Sequence, residues 1–395
     1  NSTDDVVITV NALPTTAVAG ADQTLCNVTT ATLAATPATS GTGTWTVVTG
    51  PGTIDAGQAN NPNATVSNLS ATTATTFRWT TSNGVCANST DDVVITVNAL
   101  PTTAVAGADQ TLCNVTTATL AATPATSGTG TWTVVTGPGT IDAGQANNPN
   151  ATVSNLSTTT ATTFRWTTSN GVCATSTDDV VITVNALPTT AVAGADQTLC
   201  NVTTATLAAT PATTGTGTWT VVAGPGTIDA GQANNPNATV SNLSATTATT
   251  FRWTTSNGVC ANSTDDVVIT VNALPTTAVA GADQTLCNVT TATLAATPAT
   301  SGTGTWTVVT GPGTIDAGQA NNPNATVSNL SATTATTFRW TTSNGVCANS
   351  TDDIVITVNA LPSNSVAGVN QDLCNVTLTT MAANAPTSGT GTWIK

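Results

Sequence analysis

Nine cysteines are the residues of this chain whose placement most suggests chemistry. They stand at 26, 113, 200, 287 and 374, and at 86, 173, 260 and 347, two series that share one spacing of 87 residues. Two thiols per repeat, in a chain without histidine, read as disulfides formed in an oxidising compartment. Buried reduced thiols are the plain alternative. Within one repeat the pairs are Cys26–Cys86, Cys113–Cys173, Cys200–Cys260 and Cys287–Cys347. Such a loop is worth roughly 4 kcal/mol in the chain-entropy description. Between repeats the pairs are Cys26–Cys173, Cys113–Cys260 and Cys200–Cys347. These answer a topological objection, because the turns after the first and sixth strands of a sandwich lie at opposite ends. A bond to another chain is the third arrangement, and the sequence leaves the choice open. Cys374 has its partner outside the chain, because its repeat stops before a second cysteine.

The other candidates are carboxylates and guanidinia. Paired aspartates recur at 4–5, 91–92, 178–179, 265–266 and 352–353. Neighbours on a strand face opposite ways, so Asp91 and Asp92 make a poor acid–base dyad. They are a weak calcium candidate, since such a site wants six to eight oxygens and no dense acidic loop is present. Solvated charge that blunts a strand edge is the blander role. Arg78, Arg165, Arg252 and Arg339 are the one basic residue of each repeat. Strand alternation turns them away from their aromatic neighbours, toward an aspartate or toward a neighbouring repeat or chain. With no His, Glu or Tyr, and lysine only at Lys395, the usual general bases are missing, and no enzyme is expected. No cofactor is expected either. A net charge of −14 without clustered Lys/Arg excludes nucleic acid. No apolar run is long enough to span a bilayer, so no membrane insertion is expected.

The elements that position these residues repeat as a block. Thr76-Phe77-Arg78-Trp79-Thr80-Thr81-Ser82-Asn83-Gly84-Val85-Cys86 returns letter for letter at 163–173, 250–260 and 337–347. A fixed period of this length marks a tandem array of one small unit. Full repeats run 12–98, 99–185, 186–272 and 273–359, each opening on Ala-Leu-Pro. Residues 1–11 match 88–98 and read as the last strand of a preceding repeat; 360–395 read as the start of a further, truncated one. Threonine and valine suit a pleated surface. Ala31, Leu33 and Ala35 alternate, as do Trp45 and Val47, Ala64 and Val66, Phe77 and Trp79, and Val93, Ile95 and Val97. An opening strand between Val18 and Leu25 is broken at Gly20. Turn signals about every ten residues then give some seven strands and a β-sandwich. The core of each unit is Trp45, Phe77 and Trp79, repeated as Trp132, Phe164 and Trp166, as Trp219, Phe251 and Trp253, and as Trp306, Phe338 and Trp340.

Several motifs occur in fixed order: Ala19-Gly20-Ala21-Asp22-Gln23-Thr24-Leu25-Cys26, Gly41-Thr42-Gly43-Thr44-Trp45, Gly50-Pro51-Gly52-Thr53, Phe77-Arg78-Trp79 and Ser82-Asn83-Gly84-Val85-Cys86. They resemble the PKD-like or Ig-like repeats of giant surface proteins exported by the type IX secretion system of Bacteroidota, among them gliding adhesins and grappling-hook filaments. The resemblance implies an all-β tandem array of Ig-like (PKD-like) sandwiches of about 87 residues, outside the cell, serving adhesion, motility or a surface filament. The expected partners are other copies of the same chain, with a prey, host or substrate surface at the distal end. One rival is a ligand-binding module gripping glycan through loop tips such as 50–57 and 82–88. The other is a passive monomeric spacer.

Overall fold

A computed structural model describes residues 2–394. Asn1 and Lys395 lie outside the described residues. The first full repeat forms seven strands: β1 (Gln23–Cys26), β2 (Ala31–Thr32), β3 (Thr42–Thr49), β4 (Thr53–Ile54), β5 (Thr65–Ser67), β6 (Thr75–Ser82) and β7 (Ser89–Asn98). One sheet has the order β1-β7-β6-β3 and the other β2-β5-β4. β1 runs parallel to β7, from Gln23↔Ile95 to Cys26↔Asn98, while the remaining pairs are antiparallel. The next three repeats form the same seven strands at the same offsets, and no helix occurs among the described residues.

β6 shows why the sequence makes this fold. Thr75, Phe77, Trp79 and Thr81 point inward and are buried, and Thr76, Arg78, Thr80 and Ser82 alternate outward. β7 does the same with Val93, Ile95 and Val97. Trp45 and Trp79 sit opposite each other in the β3–β6 register, ring centroids 5.1 Å apart and tilted by 49°. That contact needs Gly43, where a Cβ would lie 1.9 Å from Cζ2 of Trp79. The two inward threonines are paired as buried hydroxyls must be. Thr75 Oγ1 accepts from the Gly52 amide at 3.0 Å, and Thr81 Oγ1 donates to the Thr15 carbonyl. Ala17, Ala19, Leu33, Ala35, Ala64, Val66 and Leu69 complete a separate core for each sandwich.

Three expectations are corrected. Val47 is not in the buried core: it lies opposite Phe77 yet is 40% exposed, where the β3–β6 ladder breaks in a bulge between Val47 and Thr49. The opening strand does not span Val18 to Leu25. Gly20 takes φ +91, β1 begins at Gln23, and the stretch before it is tied down by side chains. The second strand proper is only Ala31–Thr32, although single bonds from Leu33 N to Ala64 O and from Ala35 N to Pro62 O carry the pairing on. Residues 2–11 and 360–394 contain no strand and are almost wholly exposed.

The chain divides into two compact bodies, Asn1–Leu187 with Asn257–Ala261, and Pro188–Ser256 with Asn262–Lys395. The first contains the sandwiches at 12–98 and 99–185; the second contains that at 273–359 and, apart from residues 186–187 and the 257–261 turn, that at 186–272.

Candidate functional site

The site is the seam where one repeat ends and the next begins. Its first component is a staple between the opening stretch and β7. Asp91 Oδ2 accepts from the Ala19 amide at 2.8 Å and Ser89 Oγ from the Ala17 amide at 3.0 Å. In return, Asp22 Oδ1 accepts from the Val94 amide at 2.8 Å. These side chains stand where ladder bonds would be, ahead of the short parallel β1–β7 pairing. The second component is the turn after β6. In the second repeat Asn170 holds it, with Oδ1 accepting from the Cys173 amide at 3.0 Å and Nδ2 donating to the carbonyl of Ala99. The turn thus docks on the residue that opens its own repeat. Cys173 Sγ lies 3.7 and 3.6 Å from the carbonyl oxygens of Asn98 and Ala99.

Asn98 is also where β7 of the preceding sandwich pairs with Cys26. The two sulfurs therefore meet across the seam. Cys26 is bonded to Cys173, Cys113 to Cys260 and Cys200 to Cys347, with Cα–Cα distances of 5.2, 5.0 and 5.0 Å. Each bond lies inside one of the two bodies. The within-repeat pairs Cys26–Cys86, Cys113–Cys173, Cys200–Cys260 and Cys287–Cys347 are not formed. The reason is length: Cys26 pairs with the last residue of β7 and Cys86 precedes its first, so a ten-residue strand separates them, about 33 Å at strand rise. Cys86, Cys287 and Cys374 carry no bond in this structure.

The charged candidates are placed as follows. Arg78 finds its aspartate within its own sandwich. It lies directly across from Asp92 in the β6–β7 register and grips it with both ends, Nε to Oδ1 at 2.7 Å and Nη2 to Oδ2 at 2.9 Å. Arg165, Arg252 and Arg339 do the same with Asp179, Asp266 and Asp353. The hydrogen bond from Arg78 holds the Asp92 carboxyl below its ordinary range and raises the guanidinium in turn. Asp55 is likewise lowered by the hydroxyls of Ser67 and Thr65. Asp91 and Asp92 do not converge on a cation, since one is spent on the Ala19 amide and the other on Arg78. Among the described residues no group of three acidic or cysteine side chains could hold a metal ion. Sequence reasoning flagged the Ser-Asn-Gly turn yet missed that Asn83, Asn170, Asn257 and Asn344 anchor it. Those asparagines precede glycine and stand three residues before cysteine, which is the signal available.

This architecture is an all-β tandem array of Ig-like sandwiches. No protein-family model matches the chain, and no curated protein matches it. Among solved structures it is similar to the N-terminal eight Ig domains of Down Syndrome Cell Adhesion Molecule, at 12% identity and a TM-score of 0.45, over 88% of this chain and 49% of that one. It thus spans about half the length of that structure. Sidekick-1 immunoglobulin domains 1–5 match at 13% identity and a TM-score of 0.35, over 88% of this chain and 81% of the other. The insect immune protein hemolin matches at 9% identity and a TM-score of 0.28, over 87% of this chain and 100% of its own.

Proposed function

We propose that the chain is a load-bearing repeat segment of a long extracellular filament or adhesin stalk, built from several copies and serving mechanical reach and attachment. The observation that carries this reading is the covalent bond between successive repeats: Cys26–Cys173, Cys113–Cys260 and Cys200–Cys347 each leave one sandwich and enter the next. Such bonds persist outside the reducing cytosol, which supports an extracellular setting. Near-identity of the repeats favours a lateral surface of uniform spacing and symmetric assembly of copies. The ordered motifs shared with type IX-secreted repeats support export by that route, with attachment to prey, host or substrate at the far end. No catalytic step belongs to this reading.

Labelling of unfixed cells with an antibody to the repeat, followed by electron microscopy, tests it. Label strung at regular spacing along surface filaments, with several copies in the cross-section, is the expected result. Label confined to the cell interior overturns it. A single copy per cross-section leaves the monomeric spacer in its place.

A second reading has one observation behind it. A cleft of about 430 Å³ is lined by Pro124, Gly128, Gly130, Asn147, Pro149 and Trp166. The indole N–H of Trp166 is buried without a hydrogen-bond partner, as are those of Trp79, Trp253 and Trp340. A ligand-binding module would seat a neutral ligand such as glycan in that cleft, and saturable binding of oligosaccharides to the chain would favour it. The 169–173 turn, one of the loop tips considered for such contacts, is already engaged at the seam.

A further inference from the structure

Consider each stretch from a turn cysteine to the next opening cysteine: 86–113, 173–200 and 260–287. Each consists of one closing strand, one junction and the opening segment of the following repeat. The disulfides join these stretches alternately. Cys26–Cys173 leads into 173–200, and Cys200–Cys347 carries that line onward. Cys113–Cys260 instead joins 86–113 to 260–287. We infer that the chain carries tension along two interleaved covalent routes that bypass the tryptophan-bearing strands of every sandwich.

Between the two ends the shortest bonded path is 1–26, then 173–200, then 347–395. It omits 27–172 and 201–346, and with them the strands bearing Trp45, Phe77 and Trp79 and the equivalent strands of the later repeats. Roughly 100 residues remain on that path, so its fully extended length is about 370 Å, against about 1,400 Å for the unbridged chain. Unfolding a core therefore releases none of the length held in 27–172 or 201–346 while the bonds hold.

The routes are also hydrogen-bonded to one another. In the first sandwich Gln23–Cys26, on one route, pairs in parallel with Ser89–Asn98, on the other. Gln110–Cys113 with Ser176–Asn185, Gln197–Cys200 with Ser263–Asn272, and Gln284–Cys287 with Ser350–Asn359 repeat that arrangement. Paired strands pulled past one another load every ladder bond together, whereas peeling would break them one at a time. Each sandwich thus contributes a shear-loaded contact between the routes. The inference rests on the load-bearing reading for the existence of a pull; the routes themselves rest on cysteine pairing alone.

The test is single-molecule stretching of the 395-residue chain held by its two ends, oxidised and then reduced. The expected limits are about 370 Å oxidised and about 1,400 Å reduced, a nearly fourfold change. Cys113→Ser leaves the oxidised limit unchanged, because its bond lies off the shortest path. Cys26→Ser raises it to about 800 Å, the length of a path through the two remaining bonds. An oxidised limit near 570 Å, the value for bonds within repeats, overturns the inference. So does an oxidised chain as long as the reduced one. Because the wild-type comparison needs no variant, a misfolded substitution does not remove the test. Failure of surface labelling with these lengths intact removes the proposed role and keeps the routes.

Discussion

Asp91 and Asp92 are sequence neighbours with unrelated tasks, one stapling the buried Ala19 amide and the other clamping Arg78. In the second sandwich the staple is Asp178 Oδ2, 2.8 Å from the Ala106 amide. Asp178→Ala strands that buried donor and is expected to cost about 1–3 kcal/mol locally. Asp178→Asn keeps an acceptor and recovers most of it. Hydrogen exchange at Ala106 in the full chain reads the difference, and equal effects of the two variants would show that the carboxylate is no staple. Asp92, Asp179, Asp266 and Asp353 are all lowered from the ordinary value of 3.8 by their arginine partners. A carboxyl depressed in the folded state contributes stability that is present above its unfolded value and lost as pH falls through the folded one. The thermal midpoint should therefore drop on acidification below that value. With the pairs some two-fifths exposed, each effect is small. Replacing all four arginines by glutamine should flatten this part of the acid limb; an unchanged limb would assign it to other groups.

At the scale of the element, the glycine second in β3, and its equivalent in each repeat, leaves no room for a side chain. A Cβ at Gly130 would lie 1.9 Å from Cζ2 of Trp166 and meet the ring at two further atoms. Gly130→Ala is expected to cost about 1–3 kcal/mol, as overpacking does. The Trp132–Trp166 contact should loosen, visible as a shift in tryptophan emission and faster exchange in that sandwich alone. Much of this level is legible from sequence. The alternation of Phe77 with Trp79, and of Val93, Ile95 and Val97, marks β6 and β7 because those strands are buried on one face only. Val47 misleads because the ladder breaks immediately after it, and nothing in Thr-Val-Val-Thr announces a bulge. The opening stretch misleads for a different reason: its amides are met by Ser89 and Asp91 from a strand some seventy residues on, a distance no local pattern reports.

For the whole molecule, the cysteines were legible as cross-links but not as partners. Spacing gives how far apart two thiols lie along the chain, while the choice depended on which end of a ten-residue strand each one occupies. Each bond closes a loop of sequence separation 147, worth about 5 kcal/mol in the chain-entropy description. Because the loops overlap, the three contributions do not simply add. Reduction should lower the thermal midpoint of the full chain, and scanning calorimetry with and without reductant checks it. An unchanged midpoint would mean the bonds leave the unfolded ensemble no smaller. Overlap has a further result for survival among proteases. A cut in 27–172 is spanned by Cys26–Cys173, one in 201–346 by Cys200–Cys347, and one in 173–200 by Cys113–Cys260. No single nick between Cys26 and Cys347 can sever the molecule, and its fragments part only when a reductant joins the enzyme.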